Sequence, residues 1–261
     1  MVGQAIDANE KAVMAAAARG VLPTPAVMGI LNVTPDSFYA ASRASTLSDV
    51  RERALSMAAE GADLIDVGAC STRPGSEPVT ADEESARLLP ALEAVREVLP
   101  AMPLSVDTFR PDVARMCVER FGPLLINDVS GGAAALPGVP YVLTCPDADP
   151  AAFFARRLPA LAARGVTDVV LDPGFGFGKT LDDNWRLMAR LDELTAFGRP
   201  LLVGVSRKSM LCRLLDVTPD DALAATTALH AFALQHGAAI LRVHDVREAV
   251  QCVRIYRKLN E

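Results

Sequence analysis

The amino-acid sequence predicts an α/β protein with the architecture of a (β/α)8 TIM barrel. The chain has 261 residues, which is the usual size of one such barrel. Short apolar runs recur along it, each followed by a polar or glycine-rich loop and then by a helical pattern. Hydrophobic residues make up 51% of the chain, enough to bury a sizeable core.

The apolar runs show no polar alternation, as expected for parallel strands that are covered on both faces. They predict eight strands, at Val27–Leu31, Leu64–Val67, Leu104–Val106, Leu124–Ile126, Tyr141–Leu143, Val169–Leu171, Leu201–Val205 and Ile240–Val243. A doubly wound open sheet is the alternative, but it usually has fewer strands. No break in composition marks a second domain, so residues 1–261 are expected to form one domain.

Helices are expected between the strands. Leu47–Glu60 has apolar residues at helical spacing. Thr80 and Glu83 form a capping-box pattern that opens a helix running toward Leu99.

Two further helix starts follow from capping chemistry. Thr218 before Pro219 is typical of an N-cap with proline at the first helical position. Asp245 can cap the final helix, and Tyr256–Lys258 lie near its end.

The N-terminal extension, residues 1–25, contains an alanine-rich run at Ala12–Ala18. This run is short and weakly apolar, so it predicts an extra helix and not a signal peptide. No window approaches the roughly 20 apolar residues of a membrane-spanning helix.

Composition narrows the class of function. The net charge of −6 argues against nonspecific binding to nucleic acid. The five cysteines are odd in number and scattered, so reduced thiols in a cytoplasmic protein are expected. The spacing of His236 and His244 does not fit a helical zinc motif.

In a barrel of this kind the active site lies at the C-terminal ends of the strands. The polar residues found there are Asn32, Asp66, Asp107, Asn127, Asp128, Thr144, Asp172, Ser206, Arg207, Lys208, Arg242 and His244. Such residues can simply keep a barrel mouth soluble. Several, however, lie inside or directly after apolar runs, where a purely structural role favours Val and Ile.

Five segments at strand ends resemble the dihydropteroate synthases, in the same order and at matching positions. They are Met28–Phe38, Asp66–Gly75, Asp172–Lys179, Gly204–Met210 and Arg242–Asp245. The resemblance covers nearly the whole chain from Val27 to the last helix. It implies condensation of a hydroxymethyl-dihydropterin pyrophosphate with para-aminobenzoate, with release of pyrophosphate, in folate biosynthesis.

A pterin ring presents amine and ring N–H donors, which carboxylate and amide oxygens accept. Asp107, Asn127 and Asp172 stand at strand ends where they can do so, and the resemblance gives them this role. It also has Lys208 reach the pterin and order the second substrate. The alternatives are a turn residue before Pro173 for Asp172 and a solvated surface lysine for Lys208.

Arg242 and His244 are two residues apart and so project to the same side of a strand. Arginine binds phosphate oxygens bidentately, so the pair is expected to anchor the pyrophosphate. The resemblance makes Asn32 the ligand of Mg²⁺, although it can also be a turn-forming asparagine. His230 and His236 lie in a helical pattern and are expected to be packing or surface residues.

For the second substrate the resemblance implies a pocket made by Thr72, Arg73, Pro74, Phe177, Lys208 and Ser209. Catalysis would fall to Asp107, Asp172, Lys208 and Arg242, with the two carboxylates stabilising a cationic pterin. The family also leads us to expect a homodimer through the last three helices, and inhibition by sulfonamides.

The sequence departs from the common family pattern at three places. Tyr39–Ser42 replaces a glycine-rich turn, Ala69 and Cys70 replace Gly-Glu, and Leu143–Pro146 lacks a His-Met pair.

The glycine-rich loop at Gly174–Thr180 does not match a P-loop, because Pro173 takes the place of the first Walker glycine.

Two competing functions remain open from the sequence. One is a methyltetrahydrofolate methyltransferase, against which the Ser71–Pro74 and Ser206–Ser209 segments argue. The other is a non-catalytic pterin- or phosphate-binding paralogue. Corrinoid-dependent methyl transfer tests the first alternative, and turnover with both substrates and Mg²⁺ tests the second.

Overall fold

The computed structural model describes residues 25–33, 46–70 and 79–261. Eight parallel strands follow one another around a closed barrel, and the last pairs with the first. The strands are β1 (Ala26–Asn32), β2 (Leu64–Gly68), β3 (Leu104–Asp107), β4 (Leu125–Asp128), β5 (Tyr141–Thr144), β6 (Val169–Asp172), β7 (Leu201–Val203) and β8 (Ala238–Val243). The predicted barrel is confirmed. The predicted N-terminal helix lies outside the described residues.

Helices cover the outside of the barrel. They are α1 (Leu47–Glu60), α2 (Ala81–Val98), α3 (Pro111–Phe121), α4 (Pro150–Ala163), α5 (Leu181–Ala189), α6 (Ser209–Leu215), α7 (Leu223–Gln235) and α8 (Val246–Leu259), with a 3-10 helix at Leu191–Phe197. Among the described helices, none is both long and apolar enough to span a membrane.

The expected helix between β4 and β5 is absent from residues 129–140, all of which the structure describes. Asp128 organises this connection instead. Its carboxylate accepts hydrogen bonds from the backbone N–H groups of Ser130 and Ala134 and from the hydroxyl of Tyr141. A buried carboxylate that binds backbone N–H groups favours a turn over a helix.

Capping chemistry explains several helix starts. The predicted box is confirmed at α2, where Thr80 accepts from the N–H of Glu83 and the Glu83 carboxylate accepts from the N–H of Thr80. The Thr218 prediction was wrong, because α7 begins only at Leu223. The Thr218 hydroxyl donates to Asp221 at 2.6 Å and belongs to the preceding turn.

Asp245 occupies the N-cap position of α8 as predicted, but its side chain makes no capping bond. Its carboxylate accepts from Arg207 instead. The reason is electrostatic, since a guanidinium binds a carboxylate in two charge-assisted hydrogen bonds.

Two apolar clusters form the core. The larger one fills the space between strands and helices. The smaller one fills the base of the barrel and comprises Ala26, Met28, Leu64, Leu125, Val142, Val170, Leu202 and Ile240. Because side chains alternate along a strand, residues two positions beyond these also face the barrel interior, nearer its mouth. The apolar base therefore supports a layer of inward-facing residues at the C-terminal end.

Candidate active site

The inward-facing layer at the barrel mouth is polar. It contains Asp66, Asp107, Asn127, Thr144, Asp172 and Arg242, each within the last three residues of its strand. Alternation of side chains aims all of them at the barrel axis. The fold thus brings together residues from six strands that lie up to 176 positions apart in the chain.

Arg242 is the centre of this layer. Its Nε donates to Asp66 at 2.7 Å, and its Nη2 donates to Asp107 at 2.7 Å. The same Asp66 oxygen also accepts from Nδ2 of Asn127 at 2.9 Å. The network fixes the plane of the guanidinium and orients the Asn127 amide.

Asp66 is a site residue that was predicted from the sequence to lie at a strand end but was given no specific role. Its side chain is 0% exposed, and its Oδ1 has no hydrogen-bond partner among the described residues. The sequence did contain a signal for such a role, since Asp66 lies inside the apolar run Leu64–Val67. A carboxylate buried there without a partner would be costly, so a partner is expected.

The charges in this layer are strongly coupled. Burial raises the pKa of Asp107 to about 7; Arg242 acts to lower it, whereas Asp66 and Glu84 raise it further. Burial acts to lower the pKa of Arg242, but Asp66 and Asp107 hold it above its ordinary value. Arg242 therefore stays charged while Asp107 titrates near neutrality.

Asp172 ends β6, and its carboxylate faces both the following turn and the barrel mouth. Its Oδ1 accepts from the N–H of Gly174 at 2.8 Å, so the turn role considered from the sequence is present. The carboxyl is also buried, and burial raises its pKa although Lys208 acts in the opposite direction. A buried carboxyl opposite a lysine can also receive ligand donors.

Lys208 immediately precedes α6 and is half-buried. Its Nζ donates to the carbonyl of Phe175 and lies 4.9 Å from the centroid of the Phe177 ring. Burial lowers the pKa of Lys208 to about 8, with Asp172 opposing the change. Lys208 is therefore not a freely solvated surface lysine. Ser209, the first residue of α6, is exposed beside it.

The glycine-rich loop after β6 packs against the end of β5. Gly174 has a φ of +74°, and a Cβ there would collide with the carbonyl oxygen of Cys145. Lys179 secures the same contact, with Nζ donating to the carbonyls of Cys145 and Phe177 at 3.2 Å each. This packing places the half-buried Phe177 beside Lys208.

His244 follows β8 and differs electrostatically from Arg242. Burial, and then the charge of Arg242, lower the pKa of His244 to about 3. The imidazole is therefore neutral at physiological pH and can offer a hydrogen bond but no charge. His230 is buried in α7, where burial lowers its pKa to about 4, and His236, which follows α7, is half-buried.

Asn32 ends β1 beside a glycine on the neighbouring strand. A Cβ at Gly68 would lie 3.4 Å from Oδ1 of Asn32 and 3.3 Å from Cβ of Asp107. The absence of a side chain there leaves room for Asn32 and Asp107 to converge. Their oxygens are the hard donors that Mg²⁺ prefers.

Part of the predicted site lies outside the described residues. Thr72, Arg73 and Pro74 fall there, as does the unusual Tyr39–Ser42 segment. Their assignments to a substrate pocket and a covering loop stay predictions.

The comparisons with known proteins agree with this geometry. Residues 28–244 match the family described as pterin binding enzyme. The chain is 39% identical to dihydropteroate synthase from Escherichia coli (strain K12) over 259 residues, covering 90% of this chain and 91% of the relative. It is 36% identical to dihydropteroate synthase from Bacillus subtilis (strain 168), with 88% and 86% covered.

Solved structures give the same picture. Xanthomonas albilineans dihydropteroate synthase with 4-aminobenzoic acid is 38% identical, with a TM-score of 0.83 over 92% of this chain and 94% of that one. Yersinia pestis dihydropteroate synthase with a sulfonamide drug complex is also 38% identical, with a TM-score of 0.84 over 91% and 94%.

Proposed function

The chain belongs to the pterin-binding enzymes and, within them, to the dihydropteroate synthases, and we infer that it joins 6-hydroxymethyl-7,8-dihydropterin pyrophosphate to para-aminobenzoate. The products are 7,8-dihydropteroate and pyrophosphate. The observation that carries this function is the polar layer in which Arg242 joins Asp66 and Asp107 at the mouth of the barrel. The layer has carboxylates for a donor-rich ring and a fixed cation for an anionic leaving group.

We propose that the pterin binds over Asp107, Asn127 and Asp172. Because Nδ2 of Asn127 donates to Asp66, its Oδ1 is left to accept a hydrogen bond from the ring. The two carboxylates accept from the amine and ring N–H groups. These buried acceptors discriminate well, since a ligand without the matching donors would leave them unpaired.

The pyrophosphate would lie against Arg242 and His244. Arg242 brings the charge, and neutral His244 adds a hydrogen bond. Asn32 would hold Mg²⁺ together with the pyrophosphate oxygens. When bound, the ion neutralises charge that develops on the leaving group. Among the described residues no cluster of three His, Cys, Asp or Glu side chains forms a separate metal site.

In the reaction the C–O bond to pyrophosphate breaks, and the amine nitrogen of para-aminobenzoate forms the new C–N bond. If cleavage runs ahead of attack, Asp107 and Asp172 stabilise the positive charge on the pterin. The aryl amine attacks as the neutral base, and the acidic ammonium that forms gives its proton to the released pyrophosphate or to water, so a dedicated general base is not required. Lys208, Phe177 and Ser209, with Thr72, Arg73 and Pro74, would hold the benzoate.

We also propose a homodimer that works in the cytoplasm. The last three helices carry large exposed apolar side chains, which are Leu214, Leu215, Phe232, Ile255 and Leu259. Exposed apolar surface of this kind favours a protein interface. All five cysteines lie among the described residues and none forms a disulfide, in keeping with a compartment that keeps thiols reduced.

The deciding experiment is turnover of the two substrates with Mg²⁺, measured as pyrophosphate release and as dihydropteroate formed. We expect both products in equal amounts. Pyrophosphate release that does not depend on para-aminobenzoate would indicate a hydrolase. Binding of the pterin without any turnover would favour the non-catalytic paralogue.

A further inference from the structure

Arg207 and Asp245 form a buried ion pair between the loops that follow β7 and β8. Nε and Nη2 of Arg207 donate to the two Asp245 oxygens at 2.8 and 2.9 Å. The side chains are only 4% and 11% exposed. A bidentate pair of this kind fixes both distance and orientation.

The remaining donors of Arg207 tie the same point to two other elements. Nη1 donates to the carbonyls of Pro219 and Asp220 at 2.6 and 2.8 Å. The backbone N–H donates to the hydroxyl of Thr226, in α7, at 3.0 Å. Arg207 thus joins the β7 loop, the turn before α7, α7 itself and the β8 loop.

The backbone at Arg207 is unusual. Its φ is +53°, a left-handed conformation that a residue with a side chain seldom adopts. Such a conformation persists only where surrounding contacts over-determine it, as the contacts of Arg207 do. This conformation of Arg207 sets the direction in which the backbone enters Lys208.

Both members of the pair adjoin residues assigned to the reaction. Lys208 follows Arg207 directly, and His244 precedes Asp245 directly. A second link runs parallel to the first, because the N–H of His244 donates to the hydroxyl of Ser206 at 3.2 Å. The two loops are therefore held together on both sides of the junction.

We propose that the Arg207–Asp245 pair is a positioning device that sets the spacing between Lys208 and His244. Lys208 faces the pterin and the attacking amine, whereas His244 faces the leaving pyrophosphate. The pair thus aligns the incoming and departing groups about the same carbon. Neither residue touches substrate, so both act through their neighbours. The inference rests on the proposed condensation.

Asp245→Glu is the sharpest test, because it keeps the charge and both oxygens but lengthens the arm by one methylene. A displacement of about 1 Å in an aligned site can lower turnover by roughly 100-fold. We expect kcat to fall at least about tenfold by the same reasoning. We expect the Kd of 6-hydroxymethylpterin, which lacks pyrophosphate, to change much less than kcat, since Asp107, Asn127 and Asp172 lie on other strands and only Lys208 among its proposed contacts is displaced.

Asp245→Asn and Arg207→Lys complete the series, since each keeps a polar partner but loses one bidentate bond. Arg96→Met is the matched control. Arg96 also donates to backbone carbonyls, those of Pro100 and Met102, but at the opposite end of the barrel. This control should lower thermal stability without changing kcat.

The outcomes separate clearly. A wild-type chain without turnover overturns the proposed function itself. With an active wild type, folded Asp245 variants whose kcat stays within about twofold overturn the positioning role, because that difference is under about 0.4 kcal/mol. Equal losses in kcat and pterin affinity, or variants that never fold, would mean that the pair serves only stability. Either result would also overturn the positioning role.

Discussion

Arg242 donates to Asp66 across 2.7 Å at the centre of the barrel mouth, although 176 positions separate the two residues in the chain. Asp66 is fully buried, and the same oxygen holds the amide of Asn127. One buried carboxylate therefore orients both the cation assigned to the pyrophosphate and an acceptor assigned to the pterin. The predictions below follow from this arrangement and its neighbours.

Replacing Arg242 should weaken binding of the pyrophosphate part of the first substrate more than binding of the pterin part. We expect Arg242→Met to weaken binding of the pterin pyrophosphate by about 1.5–3 kcal/mol, the worth of hydrogen bonds to charged groups. Binding of 6-hydroxymethylpterin should fall less, because Arg242 affects it only through Asp107, whose pKa it lowers. Calorimetry with both ligands measures this difference. Arg257→Met is the control, since Arg257 donates to the carbonyl of Pro25 at the far end of the barrel. Equal losses for both ligands would contradict the anchor.

Asp172→Asn keeps the size of the side chain, and its Oδ1 can still accept from Gly174. The substitution removes the charge and turns one acceptor into a donor. We expect pterin affinity to fall by about 1–3 kcal/mol, with a larger loss in kcat because the carboxylate faces developing positive charge. Binding and steady-state rates are measured together. Exposed Asp182→Asn should have neither effect. Normal turnover in the Asp172→Asn variant would contradict the assignment of Asp172 to the pterin.

Pterin binding should weaken on acidification through pH 7. Burial, opposed by Arg242, raises the pKa of Asp107 to about 7, so the accepting carboxylate is lost as the pH falls. If only the ionised form accepts, affinity drops roughly tenfold between pH 8 and pH 6. Calorimetry at several pH values measures this change. The Asp107→Asn variant should bind the pterin weakly, and its affinity should depend less on pH. A pH profile identical to that of the wild type would exclude Asp107 as the titrating group.

The same titration affects the ligand-free protein in the opposite sense. Because the folded pKa of Asp107 exceeds its unfolded value, protonation favours the folded state. This stabilising contribution is present below the ordinary pKa near 4 and is lost as the pH rises toward 7. Denaturation curves of wild type and Asp107→Asn over this range should therefore converge at the acidic end and diverge at the neutral end.

Sulfonamides should inhibit by competing with para-aminobenzoate. The pocket proposed for that substrate includes Lys208, Phe177 and Ser209, and nothing described there adds a steric element that could reject a sulfonyl group. Their affinity should rise once pterin and pyrophosphate are present. Rates with para-aminobenzoate varied at several sulfonamide concentrations provide the measurement. Failure of saturating para-aminobenzoate to restore the rate would refute a shared pocket.

Phe232→Glu should convert the proposed dimer into a monomer. Phe232 is 61% exposed on α7, and a charge there would be desolvated in an interface. Light scattering after size-exclusion chromatography gives the mass directly. Leu55→Glu, an exposed position on α1, is the control and should leave the mass unchanged. A wild-type monomer at micromolar concentration would contradict the proposal.

The sequence by itself determined the barrel and most of the candidate site. Eight apolar runs gave the strands, because parallel strands are buried on both faces and leave a pattern in local composition. Several observed strands continue one or two residues further than predicted, into Asn32, Asp107, Asp128 or Asp172. A polar residue ends an apolar run in the sequence, whereas in a barrel its backbone still pairs with the neighbouring strand. The side chains of Asn32, Asp107 and Asp172 then face the mouth, and that of Asp128 faces outward.

Only the tertiary structure decided how the charges pair. Asp66 gained its role when barrel closure brought Arg242 and Asn127 to the same carboxylate. Asp245 was expected to cap a helix, but Arg207 holds its carboxylate. The physical reason is that capping is a local interaction, readable from adjacent residues, whereas a buried charge takes its partner from whatever side chain the fold places beside it.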